Sequence, residues 1–225
     1  MTQDTYERIE AFMHACMDDA AHDKEHVYRV LYNALEIASG ETAVDYDILI
    51  TACLLHDIGR ADQLADPSLC HAAVGSEKAH AFLLKNGFSQ EYAEQVRHCI
   101  LSHRFRRNAP PESLEAKILF DADKLDVTGA IGIARTLEYQ GRLGQALYTR
   151  LPDGTVSNGE EDARPSFFRE YKFKLEKLYD RFYTQTGALL AQQRRKAAAD
   201  FYNALYQEVN SGYTCGKETL KELLK

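Results

Sequence analysis

Ile48-Leu49-Ile50-Thr51-Ala52-Cys53-Leu54-Leu55-His56-Asp57-Ile58-Gly59 is an apolar run that ends in an imidazole, a carboxylate and then a helix-breaking glycine. The pattern predicts a helix over 46–57 whose C-terminal end presents His56 and Asp57. A neighbouring imidazole and carboxylate at a helix end can bind one metal ion together. Alone the pair is a weak signal, because a lone His on an apolar face is more often a satisfied core residue.

The flanking sequence strengthens it. His26 lies upstream in His-Val-Tyr-Arg-Val, and Asp-Ala-Asp-Lys-Leu-Asp occupies residues 121–126 downstream. His26, His56, Asp57 and one of these aspartates then sit on three predicted helices.

One His, then His-Asp, then a distal Asp in an Ala-Asp-x-Leu context resembles the HD-domain metal-dependent phosphohydrolase superfamily. The matching residues are His26, His56, Asp57 and Asp123. The longer stretches Ala-His-Asp-Lys-Glu-His-Val-Tyr-Arg-Val and Asp-Ala-Asp-Lys-Leu-Asp-Val-Thr-Gly-Ala-Ile-Gly-Ile-Ala-Arg are similar to the small bacterial HD hydrolases, some of which hydrolyse nucleoside triphosphates. The likeness runs from about residue 20 to residue 205. It implies an all-α fold, an HD-domain bundle of short antiparallel helices. It also implies a metal-dependent phosphohydrolase with His26, His56, Asp57 and Asp123 as metal ligands.

Nitrogen and carboxylate donors together suit a borderline divalent ion such as Mn, Fe, Co, Ni or Zn, whereas Mg prefers oxygen and bound water. Two His and two Asp leave coordination positions open for water and a phosphate oxygen. An ion held there would lower the pKa of a bound water and polarise the phosphoryl oxygen under attack, so no protein nucleophile is required. His56 and Asp57 are thus catalytic through the ion. Helical angle alone favours Asp121 over Asp123 as the inward carboxylate, while the Ala-Asp-Lys-Leu context favours Asp123 by resemblance. Asp121 or Asp126 then hydrogen-bonds a ligand or the entering water.

Other polar residues cluster near these positions. His103 follows Ile100, Cys99 and Val96 on one apolar helix face, which suits either a core histidine or a catalytic residue in phosphate binding or proton transfer. His98 lies about 140° around the same helix, so both cannot face one metal. His22 precedes His26 by four residues, so the two imidazoles share one helical face if the helix already begins there; Asp23 competes as N-cap, which puts His22 just outside the helix, near the mouth of the site. Arg29, three residues from His26, and Lys124, beside Asp123, are candidates for phosphate oxygens. Arg104, with Arg106 and Arg107, offers bidentate recognition of a polyphosphate, or else forms a solvated basic helix end. His71 and His80 do not match the spacing of binuclear relatives, so one divalent ion is expected.

Composition bounds the rest. At 225 residues the chain is long enough for one domain. The expectation is a motif core over about 20–130, with C-terminal helices over about 166–225 packed on it. A net charge of −7 argues against a broad nucleic-acid surface but leaves room for a mononucleotide. Five cysteines with no CxxC pair, no signal-like N-terminus and no long apolar stretch read as reduced thiols in a cytoplasmic protein that does not enter a membrane.

Helical periodicity continues along the chain. Val27, Val30, Leu31, Ala34, Leu35 and Ala38 form one stripe. Others span 5–19, 72–86, 89–103, 112–127, 130–145, 166–182 and 186–211, and no period-two alternation suggests a sheet. Breaks at Ser39-Gly40, Gly59, Asp66-Pro67, Asn86-Gly87 and Pro110-Pro111 follow from positive φ at Gly and the missing donor of Pro. The irregular stretch 151–165 reads as a solvated connector in preference to a lid. The expected partner is a small phosphorylated molecule, a nucleotide above all. Two rival functions are a metal- and nucleotide-binding sensor without turnover, and a di-iron oxygenase that adds His71, His80 and His103.

Overall fold

The all-α expectation holds in the computed structural model, which describes residues 1–17, 24–104 and 110–225. Among these residues there are ten α-helices, one 3₁₀ helix and no strand. Residue contacts divide the chain into two compact units, Met1–Asp126 with Phe182–Gly187, and Val127–Arg181 with Ala188–Lys225.

The first unit contains α1 (Gln3–Cys16), α2 (Lys24–Ala38), α3 (Tyr46–Leu55), α4 (Arg60–Ala65), α5 (His71–Lys85), α6 (Gln90–Ser102) and α7 (Leu114–Leu125). Helix α3 is apolar on nearly every side and buries Ile48, Leu49, Ala52, Cys53, Leu54 and Leu55. Such a helix has no solvent face and must be surrounded; α1, α2, α5, α6 and α7 all pack on it. Asp45 starts it by accepting hydrogen bonds from the Asp47 and Ile48 amides. Helix α2 lies against α7, and α5 against α6. The predicted stripe of α2 is buried except at Leu35, with Ile37 buried as well.

Gly59 departs from the expected positive φ: its φ is −90°. Space explains the residue instead. A Cβ there would stand 2.3 Å from the His71 carbonyl oxygen and 2.7 Å from the Gly75 nitrogen. The absence of a side chain lets the chain after α3 touch the start of α5, which brings Asp57 to His71.

The second unit contains α8 (Gly129–Arg142), α9 (Phe167–Phe173), the 3₁₀ helix Leu175–Asp180 and most of α10 (Gln185–Leu223). The single helix predicted over 166–182 is broken at Lys174, where φ is −128° and ψ −64°. Phe167, Phe168, Tyr171, Leu175 and Tyr202 form its core with Ile133, Val156 and Ala198. The stretch 151–165 is not a solvated connector, because Val156, Ser157 and Asp162 are buried. Asp162 accepts the Thr149 hydroxyl at 2.6 Å and the Ser166 hydroxyl, which folds the stretch onto the unit's own core.

Among the described residues no helix is long and apolar enough to cross a membrane. Cys16, Cys53, Cys99 and Cys215 are free thiols.

Candidate metal centre

The candidate ligands all belong to the first unit. His26 projects from the buried face of α2, and its Nδ1 lies 2.7 Å from Asp126 Oδ2. Arg29 clamps Asp126 from behind, Nε to Oδ1 at 2.7 Å and Nη2 to Oδ2 at 3.1 Å. A carboxylate on one ring nitrogen fixes the orientation of the other. His26 Nε2 accordingly faces Asp123 Oδ1 at 3.2 Å, His56 Nε2 at 3.4 Å and Asp57 Oδ2 at 3.6 Å. His56, the C-cap of α3, donates its Nδ1–H to the Cys53 carbonyl at 2.7 Å, which turns Nε2 toward the same place. The donor atoms of His26, His56 and Asp123 lie within 4.8 Å of one another.

The other oxygen of Asp57 faces a second group. His71, the first residue of α5, places Nε2 3.2 Å from Asp57 Oδ1, and His103, the C-cap of α6, places Nε2 3.8 Å from it. His103 donates Nδ1–H to the Ile100 carbonyl at 2.6 Å. Asp57 Oδ1, His71 Nε2 and His103 Nε2 are all buried without a hydrogen-bond partner. Buried lone pairs that face one another are costly unless a cation lies between them. These three atoms and the N/O character of both groups fit a borderline divalent ion.

The charges divide accordingly. Burial disfavours the ionised Asp57, but His56, Arg60 and His26 outweigh it and hold the carboxyl well below its usual range. Asp123 is also lowered, its burial overcome by the hydrogen bond and charge of His26. For His26 burial opposes the charged ring, yet Asp123 and Asp126 raise its pKa to about 9. His71 and His103 go the other way, lowered chiefly by burial to about 3 and about 4. Both are neutral rings at pH 7, the form in which imidazole binds a metal.

The four matched residues therefore come together, joined by His103 and His71. Asp123 presents its carboxylate to His26 Nε2, on the side of the ring opposite Asp126. Asp121 instead accepts the Tyr183 amide at 2.9 Å and, at 2.7 Å each, the Thr184 amide and hydroxyl. Spacing predicts one ion, but the fold gathers a second donor group because α5 and α6 deliver His71 and His103 from separate helix ends. Arg29 is directed at Asp126. Lys124 lies 4.7 Å above the Phe120 ring and 5.4 Å from that of Phe182. Arg104 reaches the second group, its Nη1 3.1 Å from His71 Nδ1. His80 and His98 lie instead beside Glu94. His22, Asp23, Arg106 and Arg107 fall outside the described residues. Two neighbours of the cluster carry no sequence signal of their own: Arg60, whose Nε lies 3.0 Å from Asp57 Oδ2, and Gln63, whose Oε1 lies 2.6 Å from His71 Nδ1.

Residues 24–128 match the HD domain family. YpgQ of Bacillus subtilis, an uncharacterized protein, is 31% identical over 209 residues, which cover 90% of this chain and 93% of YpgQ. The chain belongs to the HD superfamily of hydrolases. The crystal structure of YpgQ in complex with ADP superposes on this HD protein with a TM-score of 0.70 at 28% identity, covering 91% of this chain and 95% of that one. An HD-superfamily hydrolase from Bacillus thuringiensis gives 0.70 at 30% identity, over 92% and 98% of the two chains. A predicted HD superfamily hydrolase from an uncultured Thermotogales bacterium gives 0.61 at 30%, over 90% and 91%.

Proposed function

We propose that this chain is a metal-dependent phosphohydrolase acting on a small phosphorylated molecule, a nucleotide in particular. The observation that carries the reading is Asp57, whose two buried oxygens face separate groups of imidazole nitrogens. His26, His56, Asp57 and Asp123 would hold one divalent ion, and Asp57, His71 and His103 a second. Ions of this kind supply Lewis-acid polarisation of a phosphoryl oxygen and a more acidic water. The chain's own contribution is position and charge. Arg29 and Asp126 hold the His26 ring; the Cys53 and Ile100 carbonyls hold His56 and His103. Arg60 and Arg104 place guanidinium groups beside Asp57 and His71, where planar N–H pairs suit phosphate oxygens. The ADP complex of the similar YpgQ supports a nucleotide.

The test is release of phosphate and pyrophosphate from a panel of nucleoside mono- and triphosphates with Mn, Ni, Co or Mg, beside an Asp57→Ala control. Release that vanishes in the control is expected. No release with any ion would overturn the reading and leave a sensor that binds without turnover. The His71, His103 and Asp57 group also suits a di-iron oxygenase. Two irons per chain with oxygen consumption would establish that chemistry instead.

A further inference from the structure

Three of the four imidazoles in the two donor groups hold their Nδ1 atom against a carbonyl or a carboxylate: His56 against Cys53, His103 against Ile100 and His26 against Asp126. His71 differs. Its Nδ1 lies 2.6 Å from the Gln63 amide oxygen on α4, and Arg104 Nη1 stands 3.1 Å from the same atom.

These two neighbours require opposite tautomers. An amide oxygen only accepts, so it pairs with Nδ1–H and leaves the Nε2 lone pair aimed at Asp57. A guanidinium only donates, so it needs the lone pair on Nδ1 and sends the proton to Nε2. That proton would face Asp57 Oδ1 at 3.2 Å and occupy the position where a cation would be bound. Gln63 is oriented independently, because its Nε2 donates to the Leu69 carbonyl at 3.0 Å and so turns Oε1 toward His71.

We propose that Gln63 is a positioning residue that selects the Nδ1–H tautomer of His71, keeping the His71, His103 and Asp57 group competent for a cation. The consequence for metal rests on the function proposed above; the tautomer itself is read in the metal-free protein.

The experiment uses the full chain, labelled with ¹⁵N and stripped of metal, and reads the His71 ring nitrogens by NMR. Mn²⁺ equivalents are then counted by calorimetry. Wild type and Q63E, which keeps an acceptor, should carry the proton on Nδ1. Q63L should carry it on Nε2, with the second Mn²⁺ equivalent weakened about 10–100-fold and the first unchanged. Retention of Nδ1–H and of second-ion affinity in Q63L would overturn the proposal. So would a proton on Nε2 with Nδ1 left bare in Q63E, which covers the case in which Q63L does not fold. If wild type takes a single equivalent while the proton still moves in Q63L, tautomer selection stands and the two-ion reading falls.

Discussion

Asp57 presents one oxygen to His26 and His56 and the other to His71 and His103. An Asp57→Asn change replaces one of those acceptors with an N–H. Metal stoichiometry, measured by elemental analysis, should then fall to one ion per chain or none, with the helical content retained; two ions at wild-type affinity would count against both donor groups. Arg29 acts at one remove. Arg29→Ala takes the guanidinium from the buried Asp126 while His26 still holds Oδ2, and should weaken ion binding at the His26 group about 10–100-fold. Calorimetry on the folded variant checks this. The sequence made His26, His56, Asp57 and Asp123 legible because they share a linear motif. It could not do the same for Gln63, Arg60 or the pairing of His71 with His103. Those relations are set by where α4, α5 and α6 end, and no local periodicity encodes that. Helical angle pointed to Asp121 as inward, and it is fully buried, but its pocket is the one formed by Tyr183 and Thr184.

At the scale of elements, the contact between Gly59 and the start of α5 is a tight junction. Gly59→Ala must push backbone against backbone, since the added Cβ would lie 2.3 Å from the His71 carbonyl oxygen. Overpacking of this kind costs about 1–3 kcal/mol or more, and it moves His71 away from Asp57. The denaturation midpoint should fall, with the second ion lost before the first. In the other unit, Phe168 is fully buried among Phe167, Tyr202 and Tyr206. Phe168→Ala should cost about 3–5 kcal/mol in a denaturant titration. Most helices were readable from apolar spacing. The break at Lys174 was not, because the stripe of Phe167, Phe168, Tyr171 and Leu175 continues through it unchanged.

For the molecule as a whole, an ion that binds only the folded chain stabilises it by mass action, by about 2.7 kcal/mol when free ion is 100 times its Kd. Chelation should therefore lower the melting temperature, and Asp57→Asn should remove most of that difference. The net charge of −7 works in the same direction, drawing cations and repelling phosphates. The helix ends sharpen this field. His56 and His103 are the C-caps of α3 and α6, and their rings stand 5.3 Å apart. Two helices thus turn their negative poles, each worth about half an elementary charge, toward the same place. Between those two rings an anion meets repulsion from poles that no side-chain rearrangement can remove, whereas the start of α5 at His71 turns a pole of the opposite sign to the far side of Asp57. Inorganic phosphate should bind the metal-stripped chain weakly and gain affinity once Mn²⁺ is added, an order of arrival written into the direction in which two helices run.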